Sequence, residues 1–293
     1  MDIAFHMIDV FAAEPLTGNP LSLVPDADVL DEERMRAIAS EFNQAETTFL
    51  VAPTMPGADQ RLRSFTPAGH EVGGAGHNAM GAWLWLALAG RLDLRGPSTP
   101  LTQEIAGRTL PLTVLREPGA PITVVVEQEP PRFLGVAHDR TELAAALGLR
   151  PDDVRDDLPA QVVDTGAGHL MVPLRDRGSV DRARPDTARL AAALRAVDGE
   201  GAYLYSLDAP EGTVACTRFF NPTMGIVEDP ATGTAAGPLI ALLVRDGLAP
   251  SGTSVIEQGR AMGRPSRIRV TVEGERVLLA GSGVVSMSGT LHL

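Results

Sequence analysis

Residues 73–90 read Gly73-Gly-Ala-Gly-His-Asn-Ala-Met-Gly-Ala-Trp-Leu-Trp-Leu-Ala-Leu-Ala-Gly90, and this stretch decides the fold. The eleven residues at 79–89 carry no polar side chain. A surface helix needs a polar face, so a helix here would be buried on every side. The run is also shorter than the roughly 20 apolar residues that a bilayer-crossing helix needs. The pattern therefore predicts a buried helix over about 77–89 that stops at Gly90.

The glycines at the start of this stretch predict a turn that presents bare backbone N–H groups. Such groups at the N-terminus of a helix are a natural place to hold an anion. The sequence thus predicts a buried helix whose N-terminus is directed at a pocket.

The composition is that of a soluble globular protein and narrows the classes of partner. The chain has 293 residues, with 37 acidic and 25 basic residues and a net charge of −12. This balance disfavours nucleic acid and anionic membranes, because phosphate contacts need clustered Lys and Arg. A single cysteine, Cys216, excludes an intramolecular disulfide and a cysteine-based metal cluster. The N-terminus shows no secretory pattern, so we expect a cytoplasmic protein.

Hydrophobic alternation and turn residues predict a mixture of strands and helices. Strands are expected at 3–11, 21–24, 47–51, 61–66, 101–105, 110–115, 122–127, 161–163 and 169–172. Helices are expected at 31–42, 140–147 and 186–197 in addition to the buried one. Pro130-Pro131 interrupts the strands and predicts a domain boundary.

The second half of the sequence repeats features of the first. Phe220-Asn-Pro222 resembles Phe65-Thr-Pro67. A shift of 157 residues places one glutamate and two glycines on their counterparts, namely Glu71 on Glu228, Gly76 on Gly233 and Gly90 on Gly247. The later glycines again enclose an apolar run, which predicts a second buried helix at about 234–246. We interpret the period as a duplication that gives two similar domains facing one another.

The predicted domains cover residues 1–129 and 130–280, and the C-terminal strand at 281–293 can pack with the first. The N-termini of the two buried helices are expected to meet across the cleft between the domains. Each carries roughly half a positive charge, which favours a bound carboxylate. This suits an enzyme that moves a proton beside a carboxylate, where negative charge spreads in the transition state.

The residues before the two helices exclude one mechanism. Cofactor-independent two-domain amino-acid epimerases place a cysteine just before each of these glycines, whereas this chain has Ala75 and Thr232. Neither side chain can serve as a general base, and Cys216 is far from both turns in sequence. A two-thiol mechanism is therefore excluded.

Four other residues are candidates for the chemistry, each with a plainer alternative. Glu46 lies between a predicted helix and a strand, where functional residues are common, but it can also be a solvated loop carboxylate. His77 is either a titrating group or a capping and packing residue, and Asp229 either a functional carboxylate or a turn former. We interpret His169 as a loop histidine. No metal-ligand spacing and no dinucleotide fingerprint is present.

Several short motifs run nearly end to end along the chain: Phe11 with Gly18-Asn-Pro20, Asn43-Gln-Ala-Glu46-Thr-Thr-Phe49, Gly76-His77, Thr165-Gly166 with His169-Leu-Met-Val172, Arg218-Phe-Phe220 with Gly225-Ile226, Glu228-Asp-Pro-Ala-Thr-Gly-Thr234, and Glu257-Gln-Gly259 with Gly263-Arg-Pro-Ser266. By these motifs the chain resembles the PhzF-like isomerases of phenazine biosynthesis, relatives of diaminopimelate epimerase. One departure is the segment from Phe65 to Glu71, which is one residue longer than the usual pattern of that family.

The resemblance implies a fold, an assembly and a chemistry. The fold would be α+β, with two similar domains that each wrap a curved, barrel-like, mostly antiparallel sheet round a central buried helix. The active site would lie between the domains of a homodimer subunit and would use neither metal nor organic cofactor. The best-known activity of the family isomerises trans-2,3-dihydro-3-hydroxyanthranilate by moving a proton from C3 to C1.

By motif match, Glu46 corresponds to the acid/base glutamate of the family, and His77 and Asp229 to the polar pair that positions substrate and assists the proton. The groups near the substrate carboxylate correspond to three further residues, Gly76, Gly233 and Thr234. The leading hypothesis is a cofactor-independent isomerase that acts on a small carboxylate in the biosynthesis of a small metabolite. The alternatives are a non-catalytic carboxylate-binding protein, an epimerase of an amino-acid-like substrate, and a metal-free lyase or cyclase.

Overall fold

The computed structural model describes residues 1–293, which divide into two compact units. The first unit comprises residues 1–127 together with 280–293, and the second comprises residues 128–279. The first part of the first unit thus ends just before Pro130-Pro131, and the last strand of the chain belongs to the first unit again.

The secondary structure consists of six α-helices and eighteen strands. The helices are α1 Glu32–Phe42, α2 His77–Leu88, α3 Arg140–Ala146, α4 Arg177–Arg182, α5 Thr187–Arg195 and α6 Gly233–Arg245. The strands of the first unit are β1 Asp2–Val10, β2 Asn19–Val24, β3 Thr47–Val51, β4 Gln60–Phe65, β5 Glu71–Val72, β6 Ser98–Ile105, β7 Arg108–Leu115, β8 Thr123–Gln128 and β18 Gly283–His292. Those of the second unit are β9 Arg132–Ala137, β10 Ala160–Asp164, β11 Gly168–Pro173, β12 Gly201–Ser206, β13 Ala215–Asn221, β14 Ile226–Asp229, β15 Gly252–Gln258, β16 Ser266–Glu273 and β17 Arg276–Gly281.

The sheet of the first unit is mostly antiparallel, and the C-terminal strand β18 lies next to the N-terminal strand β1. Strand β18 pairs antiparallel with β1, which pairs antiparallel with β2. Two parallel pairings follow, β2 with β3 and β4 with β6, and each crossover connection carries a helix. The remaining neighbours, β3 with β4, β4 with β5, β6 with β7 and β7 with β8, are antiparallel.

The sheet of the second unit has the same order of pairings. Strand β9 takes the place of β18 and pairs antiparallel with β10, which forms a hairpin with β11. The parallel pairs are β11 with β12 and β13 with β15. The antiparallel pairs β12 with β13, β13 with β14 and β15 with β16 complete the match. The duplication predicted from a few residues is therefore present in the topology of the whole chain.

Helix α2 is buried along nearly its whole length. Every residue from His77 to Ala87 is buried, and the helix contacts strands β1, β2, β3, β4 and β18. A sheet that contacts one helix from so many strands must curve round it, which confirms the predicted central helix. The chain leaves α2 at Gly90 with φ +69°, a left-handed conformation that suits glycine. No helix of the chain is both long and apolar enough to cross a membrane.

Helix α6 is the counterpart of α2 in the second unit. Its first residue is Gly233 and its buried residues run to Leu243, with contacts to β10, β11 and β16. The chain leaves α6 at Gly247 with φ +71°, nearly the same conformation as at Gly90. The second central helix is thus confirmed, one residue earlier than predicted.

Eight elements of the second unit have no sequence prediction, namely strands β9, β12, β13, β14, β15, β16 and β17 and helix α4. Strands β12 and β13 are buried at every residue, so they lack the alternation of polar and apolar residues that identifies a half-buried strand. Strand β16 does alternate between buried and exposed residues and was nevertheless missed. Helix α4 has only six residues and is set by its cap, in which Asp176 accepts from the backbone N–H of Ser179.

Candidate active site

The two central helices are the ones that begin without a side-chain cap. Neither Gly76, before α2, nor Thr232, before α6, makes such a hydrogen bond. The first N–H groups of a helix have no intrahelical partner and carry the positive end of its dipole. The starts of α2 and α6 are therefore suited to bind an anion. The other four helices are each capped by a carboxylate that accepts a backbone N–H three residues later: Asp31, Asp139, Asp176 and Asp186.

The glycine-rich turn before α2 is closed by Asn78. The side-chain oxygen of Asn78 accepts the Gly76 N–H at 2.7 Å, and its nitrogen donates to the Gly74 carbonyl at 3.0 Å. The prediction that this turn presents bare N–H groups is therefore wrong at Gly76, because Asn78 already accepts that hydrogen. The donors that remain for a ligand belong to the first turn of the helix itself.

The first unit brings together Glu46 and His77, two of the residues predicted to carry the chemistry. Glu46 lies directly before β3, and His77 is the first residue of α2. Oε2 of Glu46 is 3.8 Å from Nδ1 of His77, and the exposed fraction of the Glu46 side chain is 20%. Nε2 of His77 is buried without a hydrogen-bond partner in the protein. The carboxylate and the imidazole are thus close to, but just beyond, hydrogen-bond distance.

His77 is neutral at pH 7. Burial lowers the pKa of His77 to about 4, because the charged imidazolium loses its hydration there. A neutral imidazole can donate a hydrogen bond from one nitrogen and accept one at the other. His77 can therefore orient or polarise a group next to Glu46 without adding a positive charge.

In the second unit, Thr232, the residue directly before α6, forms a hydrogen bond with Asp229. Asp229 ends β14, is buried, and accepts a short hydrogen bond from the hydroxyl of Thr232 to its Oδ2. The Thr232 N–H donates in turn to Oε1 of Gln258 at 3.1 Å. The Thr232 hydroxyl is thus engaged with a carboxylate instead of capping its helix. Sequence reasoning assigned Thr232 no role beyond excluding a thiol.

The interpretation of His169 as a loop histidine is wrong, because this residue lies in a strand. It is the second residue of β11 and only 3% exposed, because the glycine-rich hairpin turn ends one residue earlier. Its Nε2 lies 3.3 Å from the hydroxyl of Thr234 in the first turn of α6. Burial lowers the pKa of His169 to about 4, although the negative charge of Asp164 acts in the opposite direction. The burial of His169 could have been predicted from the sequence, because the residues that follow it in His169-Leu-Met-Val172 are all apolar.

Each unit also contains an arginine–glutamate pair in the hairpin that precedes its central helix. Arg63 holds Glu71 through two hydrogen bonds of 2.7 and 2.8 Å, and Arg218 holds Glu228 through two of 2.8 Å. Each guanidinium also stacks on a phenylalanine two residues later, at 5.1 Å for Phe65. The corresponding distance in the second unit is 4.8 Å. The repeated Glu71 and Glu228 are therefore structural partners of arginine.

The predicted residues are divided between the units. Glu46, Gly76 and His77 belong to the first, and the others, Asp229, Gly233 and Thr234, to the second. The Gly233 carbonyl accepts from Nε2 of Gln128 at 3.1 Å. Among residues 1–293, no group of three or more His, Cys, Asp or Glu side chains is arranged to hold a metal ion.

Comparison with known proteins places the chain in one family. The profile of the phenazine biosynthesis-like proteins (PhzC-PhzF) matches residues 8–289. The trans-2,3-dihydro-3-hydroxyanthranilate isomerase of Pseudomonas aeruginosa is 34% identical over 304 aligned positions, which cover 99% of each chain.

Solved structures agree with the family. A phenazine biosynthesis protein of the PhzF family from Bacillus anthracis superimposes with a TM-score of 0.90 at 28% identity over the whole of both chains. A protein from Pseudomonas aeruginosa described as a predicted epimerase gives a TM-score of 0.83 at 33% identity over 99% of both chains. The α+β fold is thus that of the diaminopimelate epimerase-like proteins. The chain belongs to the phenazine biosynthesis-like family and is an isomerase of the PhzF type.

Proposed function

We propose that this isomerase moves a proton on a small carboxylate substrate by acid/base catalysis at Glu46, without metal or organic cofactor. The observation that carries the proposal is the Glu46 carboxylate 3.8 Å from a buried, neutral histidine at the uncapped start of α2. A carboxylate that takes a proton at one carbon can deliver a proton to another carbon on the same face. No further reactant is consumed, and the proton held by Glu46 can exchange with solvent before it is returned.

In this proposal His77 and Asp229 position the substrate and assist the proton. The His77 Nε2, which has no protein partner, can bind a polar substrate group while the ring stays neutral. The first-turn N–H groups of α2, which begins after Gly76, and those of α6, which begins at Gly233, bind carboxylate oxygens together with the Thr234 hydroxyl. Main-chain donors of this kind stabilise negative charge that develops in the transition state.

The first substrate to test is trans-2,3-dihydro-3-hydroxyanthranilate. Support comes from the 34% identity with an isomerase named for that compound, over nearly the full length of both chains. It carries a carboxylate beside the carbons between which the proton would move. We infer a role in the biosynthesis of a small metabolite of this class.

The experiment is proton exchange in heavy water. The protein is incubated with trans-2,3-dihydro-3-hydroxyanthranilate and a panel of cyclic and acyclic carboxylates, and deuterium entry is followed by NMR. Wild type should introduce deuterium into the product, and Glu46→Gln should bind the same ligand without exchange. Glu41→Gln, on the exposed side of neighbouring helix α1, is the matched control and should exchange at the wild-type rate.

Two outcomes would change the assignment. Full exchange by Glu46→Gln would remove Glu46 as the base. Tight binding of a carboxylate without exchange of any substrate proton would favour the non-catalytic binding protein. Inversion at a single carbon would instead identify an epimerase. The homodimer implied by the family remains a prediction, which light scattering of the purified protein tests.

A further inference from the structure

One string of the sequence has no part in the proposed reaction, namely Glu257-Gln-Gly259 with Gly263-Arg-Pro-Ser266. In the structure it forms the end of β15, the connection to β16 and the start of β16, directly against the segment that leads from Asp229 into α6. We call this connection, with Gln258 and Ser266 at its two ends, the Gln258 loop. A side-chain carbon at Gly259 would lie 2.5 Å from the Pro230 carbonyl oxygen, so only glycine fits there. The Ser266 hydroxyl donates to the Gln258 carbonyl at 3.1 Å and fixes the loop.

The buried amide of Gln258 uses all of its hydrogen-bonding capacity in this loop. Its Nε2 donates to the Asp229 carbonyl at 2.8 Å and to the Thr232 hydroxyl at 3.0 Å. Its Oε1 accepts the Thr232 N–H at 3.1 Å and the Tyr203 hydroxyl at 2.9 Å. An amide has two donors and accepts two bonds at its oxygen, so none of its sites remains for another partner.

These contacts fix the direction of the neighbouring hydroxyl. A backbone carbonyl can only accept and a backbone N–H can only donate, so the amide of Gln258 cannot be turned over. Its second hydrogen therefore points at Oγ1 of Thr232. That oxygen accepts from Gln258, and its own proton is directed to Oδ2 of Asp229.

We propose that Gln258 and Thr232 are positioning residues for Asp229, which set the orientation of its carboxylate for the proton transfer proposed above. Both hydrogen bonds, from Gln258 to Thr232 and from Thr232 to Asp229, are buried and therefore shielded from solvent. The inference rests on the proposed function only in giving Asp229 a contact with substrate. It assigns a task to the Gln258 loop and explains why a hydroxyl occupies the position where related epimerases carry a thiol.

The test uses two disrupting variants and one conservative variant of the full-length chain. Thr232→Val keeps the shape and removes the hydroxyl, Gln258→Leu removes the amide, and Thr232→Ser keeps the hydroxyl. Ser254→Ala is the matched control, because Ser254 lies in the same strand as Gln258 and its buried hydroxyl has no partner. Turnover and KM are measured for the carboxylate that wild type turns over, with trans-2,3-dihydro-3-hydroxyanthranilate tried first.

Both disrupting variants should lower kcat by about 10- to 100-fold, because a misplacement of about 1 Å can cost about 10²-fold. KM should change by less than about threefold, since the groups that bind the substrate carboxylate are intact. Thr232→Ser should recover most of the lost kcat, and Ser254→Ala should match wild type. If Thr232→Val lowered kcat only by disturbing the packing, Thr232→Ser, which itself removes the threonine methyl group, should not recover kcat. Wild-type kcat in folded Thr232→Val or Gln258→Leu would overturn the proposal.

A crystal structure of each variant provides a readout that does not depend on activity. The Asp229 carboxylate should rotate away from its wild-type orientation in Thr232→Val and Gln258→Leu, and should keep it in Thr232→Ser. An unchanged carboxylate in either disrupting variant would overturn the positioning role. If wild type turns over no carboxylate, the proposed function fails, and the crystal structures still decide whether Thr232 and Gln258 orient Asp229.

Discussion

The starts of α2 and α6 are copies of one structure that have become chemically different. Both follow a short hairpin with an arginine–glutamate pair, and both lack a side-chain cap. At α2 the residue before Gly76 is Ala75, and a carboxylate approaches a neutral histidine on the helix. At α6 the residue before Gly233 is Thr232, and a carboxylate is held by its hydroxyl. The comparison shows that both copies kept an uncapped helix start while the side chains around it diverged.

The strongest way to test this difference is to neutralise one carboxylate in each unit. Glu46→Gln should lower proton exchange by about 10²–10⁴-fold, because a positioned acid/base group contributes that much. Asp229→Asn should cost less, about 10-fold, since its amide oxygen can still accept the Thr232 hydroxyl and the proposed base remains. Exchange rates in heavy water give both values. A larger loss for Asp229→Asn than for Glu46→Gln would reverse the roles of the two carboxylates.

The arginine–glutamate pairs should differ in their effect on stability. Arg218 and Glu228 are 7% and 14% exposed, whereas Arg63 and Glu71 are 17% and 34% exposed. Arg218→Met leaves a buried carboxylate without its partner and should lower the free energy of unfolding by about 3–5 kcal/mol. Arg63→Met should cost about 1 kcal/mol, because water screens the remaining charges.

The two units carry separate probes for that measurement. Both tryptophans, Trp83 and Trp85, lie in the first unit, and both tyrosines, Tyr203 and Tyr205, lie in the second. Urea unfolding followed by tryptophan fluorescence and by tyrosine absorbance therefore reports on each unit. Equal losses for the two variants would show that burial does not distinguish the pairs.

A buried neutral histidine next to each central helix predicts a loss of stability in acid. The pKa of His77 and of His169 is about 4 in the folded chain, against 6.5 when exposed. Between pH 6.5 and about 4 the unfolded chain binds the extra protons, so stability falls as pH falls. Each histidine contributes a slope of at most about 1.4 kcal/mol per pH unit.

The measurement is urea unfolding from pH 7 to pH 4.5 for wild type, His77→Gln and His169→Gln. Each variant should remove part of the slope, seen with tryptophan for His77 and with tyrosine for His169. An unaltered slope in both variants would mean that neither histidine is held neutral.

The ends of the two central helices should show the most nearly equal effects on stability. Gly90 and Gly247 follow the two central helices with φ +69° and +71°, and at both sites the space that a side-chain carbon would occupy is open. Alanine at either site should therefore cost only the left-handed strain, about 1–2 kcal/mol. Thermal unfolding of Gly90→Ala and Gly247→Ala should give losses that agree within error. A clear inequality would show that the two helix ends are not equivalent.

The sequence was most informative where one physical requirement dominates. The apolar run after Asn78 could only be a buried helix, and α2 was predicted to within a residue at its end. Glu46 beside His77 was found through family motifs, since a loop glutamate alone is ordinarily solvated. Strands β12 and β13 were missed, and complete burial leaves them without the alternation on which prediction depends. Burial is not the whole reason, because the alternating strand β16 was missed and the fully buried strand β3 was predicted.

The hydrogen bonds that link Gln258, Thr232 and Asp229 were also not predicted, and here the reason is different. Gln258 and Thr232 are 26 residues apart, and no local pattern says that an amide in one strand will meet a hydroxyl before a helix. His169 was misjudged because its glycine neighbours are typical of loops, whereas its burial depends on Thr234 and Phe219 from distant segments. Contacts of this kind are fixed by tertiary packing.

The pairing of β18 with β1 has a consequence for how the protein is made. On the ribosome the first 127 residues emerge early but lack the strand that borders β1, which is supplied only by residues 283–292. The second unit, by contrast, is continuous in sequence. The unit that holds Glu46 is therefore translated before the second unit but receives its last strand only after it.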